Sequence, residues 1–484
     1  MKKNESRARF IGTALLGAVV AGGPLGSAAA APAEKVSTAN DRKEVGITIY
    51  NQNFGLVREV RDLDVGKGTV GLEFRDVASQ IQPETVSIKS LAGAGALRVL
   101  EQNYRYDLLT SEKLLEKYVG QKVRIYRYDQ KTAHEDAFDA EVLSVVEGRP
   151  VLRVNGEVTF DFPGRFAFPR VPENLIAKPT LVWLVDSGEA RQKVEVSYLA
   201  ENLNWKADYV VVLDAADQSA DLTGWVTLTN QSGASYRNAR LKLVAGEVQR
   251  VQPPRPAGRG LMMEAAAASA PQFKEEGFFE YHLYTLDCPA DVLENEQKQV
   301  TLLEGKGVKV AKKLISNGQL GYFRESYGGG EVESNSKVGV FLDIQNTQAN
   351  HLGIPLPKGT VRVYKADKSG DKQFVGEDTI DHTPRDEKVR VKVGEAFDVV
   401  VDRKQTEWRA LGTCSSESAW EIEVRNHKDT AETVELDEPA GGDWQIVSSN
   451  LPATRKDAST FTFDVAVPAK GAKKVTYRVR VRWC

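Results

Sequence analysis

Cys414 sits among hydroxyls in the stretch GTCSSES, and a nucleophilic thiol there would need a histidine base beside it. No histidine is near in the sequence, so the residue reads as structural. The five histidines, His134, His282, His351, His382 and His427, are scattered, without the H-x-x-H or H-E-x-x-H spacing that sets two imidazoles on one metal. Asp381-His382 is an acid–histidine neighbour pair beside Pro384, and reads as a solvated loop. Asp367, Ser369 and Asp371 offer oxygens at every second position around Gly370, as a Ca²⁺ loop does. No bidentate acid follows in register, so a hairpin tip accounts for them. Neither a G-x-S-x-G elbow nor a helical S-x-x-K motif supplies an activated serine. Glycoside hydrolysis needs only two carboxylates about 5–10 Å apart. The 66 acidic residues beyond residue 33 can supply such a pair with no local signature. No catalytic residue, metal ligand or cofactor is assigned.

Binding needs less than catalysis. An exposed indole or phenol ring can stack a sugar through its π face. Among seven Trp and fifteen Tyr, the best-placed are Trp205, Trp408 and Trp444, each in a turn-rich context (NLNWKAD, QTEWRAL, GGDWQIV). These three are the ligand-binding candidates; packing at strand ends is the competing account of each.

The elements that must carry these residues have a period of two. Val475, Tyr477, Val479, Val481 and Trp483 alternate with Lys474, Thr476, Arg478, Arg480 and Arg482. The same rhythm runs through Trp420, Ile422 and Val424, through Phe461, Phe463, Val465 and Val467, and through Val389, Val391 and Val393. Strands with one wet and one dry face pack as antiparallel sheets, so the expected class is all-β, built of β-sandwiches. One short helix is expected at residues 111–118 (SEKLLEKY), with Ser111 as N-cap and Gly120 as stop. Three blocks follow residues 1–33. Residues 44–105 read as an N-terminal β module. Residues 106–176 read as a helix plus a small barrel-like module, and residues 180–484 as a C-terminal sandwich region. Within the last, residues 251–277 are rich in Pro, Ala and Gly and read as a flexible excursion.

Residues 1–33 read as a secretory signal peptide. Lys2, Lys3, Arg7 and Arg9 precede the apolar run FIGTALLGAVVA, and small residues then suit cleavage after Ala30 or Ala33. Twelve apolar residues are too few to cross a bilayer core of ~30 Å, and no later segment is long enough either. The remaining chain holds 60 basic against 66 acidic residues, a net charge of −6. That balance argues against nucleic acid as a partner. An oxidising compartment allows the three cysteines one bridge. Cys414–Cys484 is favoured because both flank strands of one region; three free or buried thiols are the alternative.

The stretch YLAENLNWKADYVVVLD…LTGWVTLTNQSGASYRNARLKL at 198–243 carries a recognisable pattern: Tyr198 and Trp205 before a strand, then Asn230, Gly233, Tyr236 and Asn238 in a turn. It resembles the C-terminal domain of an uncharacterised family of bacterial secreted proteins, a domain shared with mucoidy inhibitor A proteins. Residues 356–384, 394–403 and 421–429 continue the likeness, and the stretch from VGITIY to VGLEF is similar in layout to the family's N-terminal module. The 106–176 block departs from the mucoidy inhibitor layout, which has helical hairpins between its β domains. The resemblance implies a secreted multi-domain β protein of no established activity. The expectation is therefore an exported, non-enzymatic protein of the cell envelope, periplasmic or extracellular, that binds or scaffolds envelope polysaccharide or another envelope protein. The alternative is a secreted hydrolase of envelope polysaccharide, using a carboxylate pair not visible in the sequence.

Overall fold

The structure is a computed structural model that describes residues 33–129, 133–172, 175–250, 273–328 and 331–484. It is 66% strand and 4% helix, so the all-β class read from the alternation is correct. The strands form four sheets of four, five, eight and thirteen strands. Residues 1–32 and 251–272, and with them nearly all of the segment read as a signal peptide and most of the Pro/Ala/Gly-rich stretch, lie outside the described residues. The end of that stretch is regular, since Phe273–Phe278 is a strand paired with Tyr281–Leu286.

Pairing does not follow the order of the sequence blocks. Arg191–Glu201 runs antiparallel to Phe54–Asp64 in an unbroken register from Arg191↔Asp64 to Glu201↔Phe54. Tyr236–Ala245 lies parallel to Arg42–Tyr50, and Thr180–Ser187 is inserted between Gly68–Arg75 and Leu97–Arg105. Residues 44–105 and 180–250 thus share one core, in which Ile47, Ile49, Phe74, Trp183, Tyr198, Leu241 and Leu243 are buried together. The turn after residue 230 is clasped to the N-terminal part: Gln80 N–H donates to Ser232 O at 3.0 Å. Gly233, at φ 85°, faces Ser79 so closely that a Cβ would stand 1.8 Å from its Oγ. Only glycine fits that turn.

The 106–176 region folds by itself around Leu115, Tyr118, Ile125, Val142 and Leu152. Its sheet is open, not the expected barrel. Five strands lie in the spatial order 157–160, 149–154, 134–146, 122–129, 165–167, and the two outer ones do not pair with each other. The helix is Ser111–Lys117, and the cap is Thr110 rather than Ser111, its Oγ1 accepting from Lys113 N–H at 3.1 Å. Two adjacent hydroxyls could each have served, and the first in the chain took the role.

Three long strands join the main core to a second one. Glu296–Asn317 sends Val300, Leu302 and Val308 into the first core and Leu314 into the second. Glu331–Gln345 contributes Leu342 and Ile344 to the first and Val338 to the second. Lys388–Gly412 contributes Val389 and Val391, then Ala396, Val399 and Val401. Bulges near Lys337/Val338 and Val340/Phe341 turn the strands between the two bodies.

One corner recurs three times in this region. A buried asparagine ends a strand or directly follows it, the chain makes an excursion, and the returning strand pairs back on the first. Asn230 donates Nδ2–H to Ala234 O (2.9 Å) and Val292 O (3.2 Å), and its Oδ1 accepts from Ser232 N–H. Asn346 does the same to Ile354 O (2.8 Å) and Pro384 O (2.9 Å), accepting from Gly353 N–H. Asn426 donates to Thr430 O (2.8 Å) and Pro468 O (3.1 Å), accepting from Lys428 N–H. In each case the second carbonyl lies just before the returning strand. An amide fills the corner because it supplies two donors and an acceptor at once.

Candidate functional site

Trp205 belongs to the interior. It is 2% exposed, its indole N–H donates to Val244 O at 3.2 Å, and its ring meets Tyr284 edge-on at 6.3 Å. It offers no face to a ligand. Trp408 and Trp444 are half-buried, and the fold brings them to one end of the second sandwich. Four neighbouring strands, Lys388–Gly412, Ser415–Asn426, Gly471–Arg482 and Asp443–Ser449, set Trp408 opposite Ser418 and Val479, and Trp444 opposite Val481 and Ser416. Alternation places all of these on the inner face.

Residues 318–328 close over that face. Tyr322 and Phe323 are buried, and the carbonyl of Phe323 accepts from Trp408 Nε1–H at 3.3 Å and from the Ser416 hydroxyl. Gln405 holds the same segment from both ends of its amide, donating to Glu325 O (3.0 Å) and accepting from Tyr327 N–H (2.7 Å). Rings then run continuously, from Trp420 to Phe323 (5.6 Å), to Phe461 (5.9 Å), to Trp444 (5.2 Å). Trp444 N–H donates to Ala458 O at 3.2 Å. Trp483 joins the same end: its N–H donates to Cys414 O at 3.0 Å, and Cys414 is bonded to Cys484 with Cα atoms 5.7 Å apart. Sequence reasoning missed the Tyr322–Phe323 plug, which has no periodic signal. Trp483 was readable as the last apolar position of its strand, but not as a neighbour of Trp444.

Below this aromatic mouth lies a buried ion cluster. Arg403 Nε donates to Glu438 Oε1 (3.0 Å) and Nη1 to Glu333 Oε2 (2.5 Å), while the Tyr477 hydroxyl donates to Glu438 Oε2 (3.1 Å). Burial pushes the Glu438 carboxyl above its ordinary range, and burial likewise raises the Tyr322 phenol. These two glutamates form a carboxylate pair from distant strands, yet both are bound to one guanidinium, and Glu438 and Arg403 are 0% exposed. A substrate cannot reach Glu438. On the outer face, Glu417 receives hydrogen bonds and charge from Arg480, Arg409 and Arg478, which hold it below the carboxylate range.

The remaining chemical motifs resolve into local structure. Asp381 faces Lys358 at 3.4 Å, and the His382 Nδ1 accepts from Lys358 N–H at 3.2 Å, so each is hydrogen-bonded or ion-paired to Lys358 rather than to the other. His282 instead meets Glu275 at 2.8 Å across a hairpin, a pairing of residues seven apart that opposed strands create. Asp367 accepts from Ser369, Gln373 and two backbone N–H groups, which bring its carboxyl down to about 2; it orders the hairpin tip between residues 366 and 372. Asn230 and Ser232 of the N-Q-S triplet are 1% and 0% exposed, which leaves no room for a glycan there. Among the described residues no three His, Cys, Asp or Glu side chains are grouped to hold a metal ion, and no helix is long and apolar enough to cross a membrane.

No curated protein matches the chain. Residues 194–484, from within the strand Arg191–Glu201 through both sandwich cores to the last residue, match a domain family described as a domain of unknown function, DUF4139. The match covers the shared strands, the three asparagine corners and the aromatic mouth, and on it the chain belongs to the DUF4139 family.

Proposed function

We propose that this protein is exported to the cell envelope, performs no reaction, and binds surface polysaccharide at the aromatic mouth of its second sandwich. The observation that carries the reading is the state of Trp408 and Trp444. Each indole N–H is tied to a backbone carbonyl, so the ring plane is fixed, while each residue stays half-exposed. Rings held in this way lose little entropy when a pyranose stacks on them. Export is supported by the basic start and apolar run of residues 1–33, and by a disulfide, which oxidising compartments preserve. The likeness to the domain of mucoidy inhibitor A proteins, seen at residues 198–243 and 356–429, fits the same location.

The test is thermal unfolding of the chain from Glu34 against a panel of envelope glycans. A ligand at 100 times its dissociation constant adds ~2.7 kcal/mol of stability. A rise in melting temperature with one glycan class, lost in Trp444→Ala, is the expected result. No shift with any glycan would overturn the reading.

A further inference from the structure

Two arginines at the aromatic mouth have no carboxylate partner among the described residues. Arg455 lies over the Trp444 ring with its guanidinium carbon 4.4 Å from the centroid. Arg324, on the segment that carries the plug, lies 5.9 Å from the Trp483 centroid and donates Nη2–H to Gly441 O at 3.2 Å. The two belong to one surface. Ala440 and Gly441 N–H groups both reach Ser459 O, the neighbouring Ala458 O accepts from Trp444, and Trp444 carries Arg455. Nearby, Arg482 pairs with Asp443 at 2.7 Å, Arg409, Arg478 and Arg480 share Glu417, and the exposed Asp457 carboxylate accepts from Ser459 N–H with no cation paired to it among the described residues. Both arginines are exposed.

An unpaired guanidinium stacked on an indole keeps its edge donors free, in a plane that suits a carboxylate. Tryptophan rings with such donors beside them present, side by side, a stacking face and an anion fork. From this geometry we propose that the ligand is an acidic polysaccharide, a chain of pyranoses bearing carboxylates, with the carboxylates on Arg455 and Arg324 and a sugar ring beside Trp483. The proposal rests on the glycan reading above and adds the ligand's charge to it.

Oligogalacturonate and its methyl ester separate the two readings, because they differ only in the carboxylate. Titration calorimetry with the chain from Glu34 is expected to show the acid form binding about tenfold more tightly than the ester, with the difference shrinking as salt rises. In Arg324→Gln/Arg455→Gln that preference should vanish while binding of the ester is retained, which also shows that the variant is folded. Equal binding of acid and ester by the unaltered protein would overturn the charge assignment and leave glycan binding standing. Binding of neither form, with no thermal shift from any glycan in the wider panel, would overturn both.

Discussion

Glu438 keeps its carboxylate out of water, one oxygen on Arg403 and the other on the Tyr477 hydroxyl. Removing only the arginine leaves two acids facing one another around a buried vacancy. Arg403→Met should therefore cost about 3–5 kcal/mol in urea unfolding, and adding Glu438→Leu should recover part of that loss. If the single and double variants are equally unstable, the pair is not coupled. The pH dependence of stability has contributions of both signs. Burial draws the Asp343 and Asp217 carboxyls up, but Arg390, and Lys365 with Lys312, overcome it and hold both below the carboxylate range. Such groups add stability above an unfolded pKa of about 3.9, and the gain is lost as pH falls through the lower folded value. Glu438 is raised, so it penalises the fold at neutral pH, and that penalty lifts as pH falls through its folded value. The melting temperature should hold down to about pH 5 and drop below about pH 4. Asp343→Asn/Asp217→Asn should flatten that drop; an unchanged acid limb would refute the assignment. The single-residue chemistry was only partly legible in the sequence. Asp367 at a hairpin tip could be read locally, whereas the Arg403–Glu438 contact joins residues 35 apart on different strands.

The three asparagine corners, at Asn230, Asn346 and Asn426, are the recurring element of the fold. Each amide satisfies two carbonyls and one N–H in a buried or part-buried corner. Asn426→Ala should lower the unfolding free energy by at least ~2 kcal/mol, read as a lower urea midpoint with an unchanged slope. Asn426→Asp should be no better, since it keeps the acceptor but turns a carboxylate oxygen toward two carbonyls. A mild alanine variant would show that the corner is dispensable. Strands were the most legible elements, because a period of two is written in adjacent residues such as Trp420, Ile422 and Val424. Asn230 and Asn426 stood in stretches whose family pattern drew attention, but Asn346 looked like any polar residue at a strand end. The plug at Tyr322 and Phe323 was illegible, since nothing local distinguishes a buried turn from an exposed one. Trp205 misled for the converse reason: its polar neighbours face water while its own side of the strand faces the core.

At the scale of the molecule, partner choice decides the architecture, and partner choice is not local. Residues 44–105 and 180–250 looked like parts of separate modules and are interleaved in one body. The two sandwich cores share three strands, so neither can unfold without opening the other. Calorimetry should show them melting in a single transition, with the separate 106–176 core free to melt apart from it. Independent transitions for the two sandwiches would contradict the shared-strand account. The Cys414–Cys484 bridge closes a loop of 70 residues within the second sandwich. Its loss in Cys414→Ala/Cys484→Ala should lower stability by about 4 kcal/mol on the chain-entropy estimate. The shared strands also give the protein a ruler. Lys388–Gly412 is 25 residues long, which at the rise of a strand amounts to up to about 80 Å of continuous backbone. Glu331–Gln345 is bonded beside it and Glu296–Asn317 beside that strand in turn. A load taken up at the tryptophans would pass along these strands as tension from one sandwich core to the other.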